Sequence, residues 1–134
     1  MTITFSDQDK LTLRTAAWGA VSLMSAASAA GSAHKAGTEG SIALTSATGA
    51  VGHVLTKAPK SVKWGKTVAD LADQALPALT ASMALLKQQA PDEADNFRRT
   101  ITVAVEAAAR THQGEPSPTA AAMARKITDA LAAA

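Results

Sequence analysis

The chain has 134 residues and a formal net charge of +2, and 47% of its residues are hydrophobic, most of them alanine. It contains no cysteine, which excludes disulfides, thiolate catalysis and cysteine-ligated metal sites. Residues 1–66 carry seven basic and three acidic residues, whereas residues 67–134 carry six and eight. This asymmetry suits an acidic partner and falls short of the charge density of a nucleic-acid-binding domain.

The composition predicts a single all-α domain over residues 1–134. Alanine is the best intrinsic helix former, and the β-branched and aromatic residues that strands favour are scarce. No stretch alternates apolar and polar residues for long enough to require a strand. Residues 1–7 lack the basic and apolar regions of a secretory signal, so a cytoplasmic protein is expected.

Ser6, followed three residues later by Asp9, predicts an N-cap with an acidic first turn. The first helix is expected over residues 7–30 and should end at Gly31 and the polar stretch 32–37. Residues at helical spacing form its apolar face: Leu13, Ala17, Val21 and Met24.

A second helix is expected from residue 38 or 41 to residue 56, where Gly49 and Gly52 indicate either close backbone approach or a broken helix. A third helix is expected over residues 61–88, with a kink at Pro77 because proline has no amide hydrogen to donate. The residues expected on its buried side are Trp64, Val68, Leu71, Ala75, Leu79 and Leu86.

Pro91, Asp92 and Glu93 predict the start of a fourth helix, since proline and acidic residues both suit a first turn. Glu106 and Arg110 are expected to form an ion pair on its exposed side. A fifth helix over residues 118–134 is amphipathic, so its apolar stripe is expected to dock on another surface. That stripe contains Ala120, Met123, Ala124, Ile127, Ala130, Leu131 and Ala134. Together these elements predict a five-helix bundle.

Several features follow one another in a recognisable order: the uncharged stretch 16–21, the glycine-bearing turn and glutamate of 31–39, and the Ala-Pro-acidic stretch 90–95. In this layout the chain resembles a set of small uncharacterised bacterial Ala-rich helical proteins, which implies a helical fold and no assigned reaction. It more distantly resembles the TerB-like (tellurite-resistance) helical fold, which implies acidic metal ligands at the end of the first helix and shortly after it. Here Glu39 is present, but Ala30 stands where that fold has aspartate, so the implied ligand set is incomplete.

No metal-binding or catalytic pattern emerges from the histidines. The chain lacks the His-Glu-x-x-His and Glu-x-x-His patterns of zinc and di-iron sites, so no metal or other cofactor is expected. Structural or solvent-exposed roles are expected for His34, His53 and His112. Gly65-Lys66-Thr67 lacks the upstream glycine of a phosphate-binding P-loop.

Two acidic pairs are interpreted as ordinary surface charges. Asp70 and Asp73 are three residues apart, as are Asp92 and Asp95, so each pair can share a helix face. Asp70 is expected to pair with Lys66, and Asp95 with the arginines that follow it. The protein is therefore predicted not to be an enzyme; if it were one, Asp70, Asp73 and His53 would be the first candidates.

Lysines recur at every third position around Pro59 and Trp64: Lys57, Lys60, Lys63 and Lys66. Four cations and an indole can hold a phosphate, a nucleic-acid backbone or an acidic protein surface. The alternative interpretation is a solvated linker and first helical turn, since this spacing fans side chains out by about 60° per step around an α-helix.

The leading hypothesis is a non-enzymatic helical interaction protein that self-associates or binds a protein partner. The first alternative is a small-ligand or anion-binding protein that uses the four lysines and Trp64. The second is membrane association, because residues 15–33 and 40–56 contain no Lys or Arg and no acid and approach the length of a membrane span. A buried helical hairpin explains those stretches more simply, and neither nucleic acid nor membrane is the expected partner.

Overall fold

Alanine-rich segments form helices through most of the chain. The computed structural model describes residues 4–28, 33–60, 62–110 and 118–134, and these residues form α-helices and no strand. The helices are α1 (Asp7–Ala27), α2 (Ala33–Thr45), α3 (Gly49–Leu55), α4 (Val68–Gln89), α5 (Pro91–Ala109) and α6 (Pro118–Ala132). The all-α class is confirmed, but the prediction of five helices is wrong, because the described residues form six.

The extra helix arises at Gly49. Residues 46–48 interrupt the predicted second helix, and Gly49 adopts a φ of +80°, which side chains larger than hydrogen disfavour. Gly52 then packs against the preceding turn, since a Cβ there would lie 2.5 Å from the backbone carbon of Ala47. The predicted helix is therefore broken at Gly49, and Gly52 makes a close backbone approach, so both of the expected roles of these glycines are observed.

The start of α2 also differs from the prediction. The stretch 32–37 was expected to be a turn, but α2 begins at Ala33 and includes Gly37. Gly40 brings α2 against α1, because a Cβ at this position would lie 2.9 Å from Val21 Cγ1. Residues 29–32, where the first helix was expected to end, lie outside the described residues, and α1 ends at Ala27.

Capping boxes fix the first residues of α1 and α4. The Ser6 hydroxyl accepts a hydrogen bond from the Asp9 amide at 3.0 Å, and the Ser6 amide donates to the Asp9 carboxylate, so the predicted N-cap is confirmed. Thr67 and Asp70 form the same arrangement at α4, with Asp70 N donating to Thr67 Oγ1 at 3.0 Å. This box starts α4 at Val68, seven residues later than predicted.

The α4 helix continues through Pro77 to Gln89, and the kink expected at Pro77 stays a prediction. Val68, which was expected on the buried side, is 46% exposed because it lies in the first turn, at the edge of the bundle. Ala75, Leu79 and Leu86 are buried as expected.

The core forms around α1, which packs against the other five helices. Its largest fully buried side chains include Phe97, Leu13, Leu23, Met24, Leu79, Leu86, Ile101 and Ile127. The apolar stripe of α6 docks on α1, α4 and α5 of the same chain, and the Thr80 hydroxyl donates to Ala130 O at 2.7 Å across the α4–α6 contact. The fifth predicted helix therefore finds its docking surface within the bundle.

Candidate functional site

The four lysines predicted to bind anions lie on the non-helical connection between α3 and α4. All four are exposed, whereas the apolar residues between them are half-buried: Pro59, Val62 and Trp64. The apolar residues hold the connection against the bundle and leave the lysine side chains in solvent. We call Lys57, Lys60, Lys63 and Lys66 the basic segment.

Of the alternative interpretation, the solvated linker is observed, but the prediction that these lysines enter a first helical turn is wrong. The Thr67 capping box starts α4 only at Val68, so the whole basic segment precedes the helix. The helical geometry that would fan the side chains apart therefore does not apply. Three residues of non-helical chain span at most about 10 Å, which limits the separation of consecutive lysine Cα atoms.

Side chains of α1 cap the last turn of α3, just before the basic segment. Arg14 Nε donates to Val54 O at 2.9 Å, and Trp18 Nε1 donates to Leu55 O at 3.2 Å. The last carbonyls of a helix lack intrahelical donors, and these two bonds supply them. They also fix the point at which the chain leaves α3.

The middle of the segment is fixed at Lys63 and Trp64. Gln74 Nε2 donates to Lys63 O at 2.8 Å, which joins the segment to α4. The benzo edge of Trp64 reaches α1 at Gly19, where an added Cβ would lie 3.3 Å from Cη2 and Cζ3 of the indole. Part of the indole is therefore committed to packing.

Asp70 closes the end of the segment through the backbone. Its carboxylate accepts hydrogen bonds from the amides of Lys66 at 3.1 Å and Thr67 at 3.3 Å. The bond from the Lys66 amide, followed by those from the Thr67 side chain and amide, lowers the pKa of Asp70 below its ordinary value of 3.8. The predicted pairing with the Lys66 ammonium is wrong, since Asp70 binds the amide of that residue instead.

The basic segment carries unpaired charge. In the described part of the chain, ion pairs join Asp95 to Arg98 and Glu106 to Arg110, each at 3.3 Å, and both pairings were predicted. No lysine of the basic segment forms an ion pair with a described carboxylate. These cations remain free to meet an external anion.

The other candidate residues do not come together. His34 and His53 are exposed, as is Asp73, and His112 lies outside the described residues. No group of three His, Asp or Glu side chains among the described residues is placed to hold a metal ion. Asp92 and Asp95 are exposed in the first turns of α5.

An open groove of about 600 Å³ lies between α1 and α4, beside the basic segment. Its apolar lining includes Leu11, Val62, Pro77 and Ala78. Its polar lining includes Gln8, Thr12, Lys63 and Gln74. We call it the α1–α4 groove. It also contains Thr15, a residue that no sequence pattern singled out.

None of the described helices is both long and apolar enough to cross a membrane. Comparison of the chain with protein-family models, with curated proteins and with solved structures finds no match. The resemblances named from the sequence therefore stay predictions.

Proposed function

We propose that the protein is a non-enzymatic helical interaction domain that binds an acidic segment of a partner protein through the basic segment. The observation that carries this proposal is the exposure of four lysines, without ion pairs to described carboxylates, on a connection fixed to the bundle. An acidic partner relieves the repulsion among these charges and complements the basic half of the chain.

The fixed backbone supports binding over simple solvation. Bonds at Val54, Leu55 and Lys63 hold the connection in place before any partner arrives. Pre-ordering of this kind lowers the conformational entropy lost on association. Clustered charge also accelerates encounter with a partner of opposite sign and makes binding depend on salt.

A protein partner suits the segment better than nucleic acid does. Non-specific single-strand binders present aromatic faces on which bases stack, and the benzo edge of Trp64 is packed against α1 at Gly19. The net charge of +2 is also small for a nucleic-acid-binding domain. The cytoplasmic location expected from the sequence stays a prediction.

The experiment compares two variants of equal charge. One replaces Lys57, Lys60, Lys63 and Lys66 by glutamine, and the control replaces the other four lysines: Lys10, Lys35, Lys87 and Lys126. Binding of a labelled glutamate-rich peptide is followed by fluorescence anisotropy. Because each exposed ion pair contributes about 0.2–1 kcal/mol and the variant removes four lysines, it is expected to weaken binding by about fourfold or more.

The control variant is expected to bind within about twofold of wild type, since its charges are dispersed. Equal loss in both variants would show that only net charge matters and would contradict the proposal. Tighter binding of an oligonucleotide or of inorganic phosphate than of the peptide would favour the anion-binding alternative.

Self-association, the other form of the interaction hypothesis, is favoured by one separate observation. Ile42 on α2 and Val103 on α5 are 53% and 56% exposed, and these two helices pack against each other. Sedimentation velocity is expected to show a dimer that a Val103→Ser change dissociates. A monomer at all concentrations would remove this candidate.

A further inference from the structure

We propose that the α1–α4 groove binds a small amphiphilic carboxylic acid, whose apolar body lies in the groove and whose carboxylate meets Thr15 and Lys63. The proposal uses only one lysine of the basic segment. It does not rest on the binding of an acidic protein, and it can hold if that function fails.

The first observation is the hydroxyl of Thr15. This residue is only 9% exposed, yet its hydroxyl forms no hydrogen bond with a described residue. Most other threonines within the helices donate a hydrogen bond: Thr12, Thr38, Thr45, Thr100, Thr102 and Thr128 donate to the carbonyl four residues earlier, and Thr80 donates to Ala130 O on α6. Thr15 departs from this pattern in the wall of a groove.

The hydroxyl is accessible as well as unpartnered. Every fully buried polar side-chain atom among the described residues that are not exposed has a hydrogen-bond partner. The Thr15 oxygen is therefore not sealed in the core, and the groove is the opening that this residue lines. A hydroxyl that is open to a groove and makes no bond within the protein is available to a ligand without the loss of an internal hydrogen bond.

The second observation is the position of Lys63. Gly19, on which Trp64 packs, lies one helical turn after Thr15 and on the same face of α1. Lys63 is adjacent to Trp64 in the chain, and the Gln74 side chain holds its carbonyl. This arrangement fixes the backbone of Lys63 beside the part of α1 that carries Thr15, and the unpaired lysine side chain lines the same groove as the free hydroxyl.

The remaining lining determines the class of ligand. Leu11, Val62, Pro77 and Ala78 offer an apolar surface, and Lys63 is the charged residue among those that line the groove. Uncharged polar residues also line it: Gln8, and Thr12 and Gln74, whose side chains donate to Gln8 O and Lys63 O. A volume of about 600 Å³ lies within the range of small-molecule sites. The groove offers one cation, Lys63, and the free hydroxyl of Thr15. This pair suits a ligand with a single carboxylate and a compact apolar body, whereas an acidic protein segment carries several charges.

The test uses octanoate as the probe, with octanol and octylamine as neutral and cationic analogues of the same length. Amide chemical shifts of the isotope-labelled protein are followed by NMR during each titration. Octanoate is expected to shift the amides of Leu11, Thr15 and Ala78, and to bind at least about threefold more tightly than octanol. Octylamine is expected to bind more weakly than either.

Variants locate the two polar contacts. Thr15→Val and Lys63→Gln are each expected to weaken octanoate binding by about threefold to tenfold, the range for one hydrogen bond or exposed ion pair. Lys35→Gln, which removes an exposed lysine on α2 outside the groove lining, is expected to leave it unchanged.

Three results would overturn the proposal. The first is that octanol binds as tightly as octanoate. The second is that the shifts map to another surface, and the third is that Thr15→Val binds octanoate as tightly as wild type. Thr15→Val keeps the shape of the side chain, so the variant is expected to fold. A thermal unfolding midpoint close to that of wild type establishes that a loss of binding does not come from a loss of fold.

Discussion

The carboxylate of Glu93 on α5 accepts a hydrogen bond from the backbone amide of Ala50 at 2.8 Å, and so caps the first turn of α3. Asn96 supports this contact by donating to Glu93 Oε2 at 2.9 Å and to Thr48 O at 2.8 Å. Glu93 was expected to act only in the first turn of its own helix. It also fixes the seven-residue helix that leads into the basic segment.

Replacing Glu93 by glutamine is expected to lower the free energy of unfolding by about 1 kcal/mol, because the amide of Ala50 loses a charged acceptor. Urea denaturation at neutral pH measures this difference. Asp92→Asn is the control, since Asp92 is exposed in the same turn of α5. An equal effect in both variants would mean that only the dipole of α5 is involved.

Two glycine-to-alanine changes are expected to act in opposite directions. At Gly19 a Cβ would lie 2.6 Å from Ala75 Cβ, so Gly19→Ala should destabilise the protein by about 1–3 kcal/mol despite better helix propensity. At Gly37 the nearest atom would be Ser25 Oγ at 3.5 Å, an ordinary contact, so Gly37→Ala should stabilise it by up to about 1 kcal/mol. Thermal unfolding of both variants tests the α1–α4 and α1–α2 crossings together.

Asp70 should make stability depend on pH. Its pKa is lowered in the folded state, so its contribution to stability is present above the ordinary value of 3.8 and is lost as the pH falls through the folded pKa. Asp70→Asn is therefore expected to be less stable than wild type at pH 7 and to approach it below pH 3.8. Urea denaturation over this range provides the measurement, and a difference that stays constant with pH would contradict the assignment.

Thr15→Val should change the stability of the ligand-free protein by less than about 0.5 kcal/mol, because the hydroxyl that it removes is open to the groove and has no described partner to lose. Thr100→Val is the comparison, since the Thr100 hydroxyl donates to Asn96 O at 2.8 Å. That variant should lose up to about 1 kcal/mol in the free energy of unfolding, measured by urea denaturation. A loss in Thr15→Val as large as that in Thr100→Val would indicate that the Thr15 hydroxyl has a partner within the protein.

Local patterns were enough to predict the parts of the fold that depend on neighbouring residues. Ser6 with Asp9, and Glu106 with Arg110, interact as their spacing predicts. Thr67 and Asp70 carry the same three-residue capping signal as Ser6 and Asp9, and it starts α4 at Val68 instead of at residue 61, where the third helix was expected to begin. The break at Gly49 was considered, but sequence cannot decide it, because the turn depends on φ at one residue and on contacts with α5.

The candidate site was predictable only in its residue types. The lysine spacing identified the basic segment, whereas the absence of ion pairs there depends on where the carboxylates of other helices lie. The groove and the free hydroxyl of Thr15 depend on the crossing of α1 and α4, which no local pattern reveals. The amphipathic stripe of α6 indicated a docking face but not that the bundle itself would cover it.

The most direct test of the proposed function maps the glutamate-rich peptide on the wild-type protein by NMR. Binding through the basic segment predicts that amide shifts concentrate at residues 57–67 and at Gln74, whose side chain holds Lys63, and that they shrink as salt is added. Shifts centred on α5 or α6, or no shifts at low ionic strength, would contradict the claim that this segment is the binding surface.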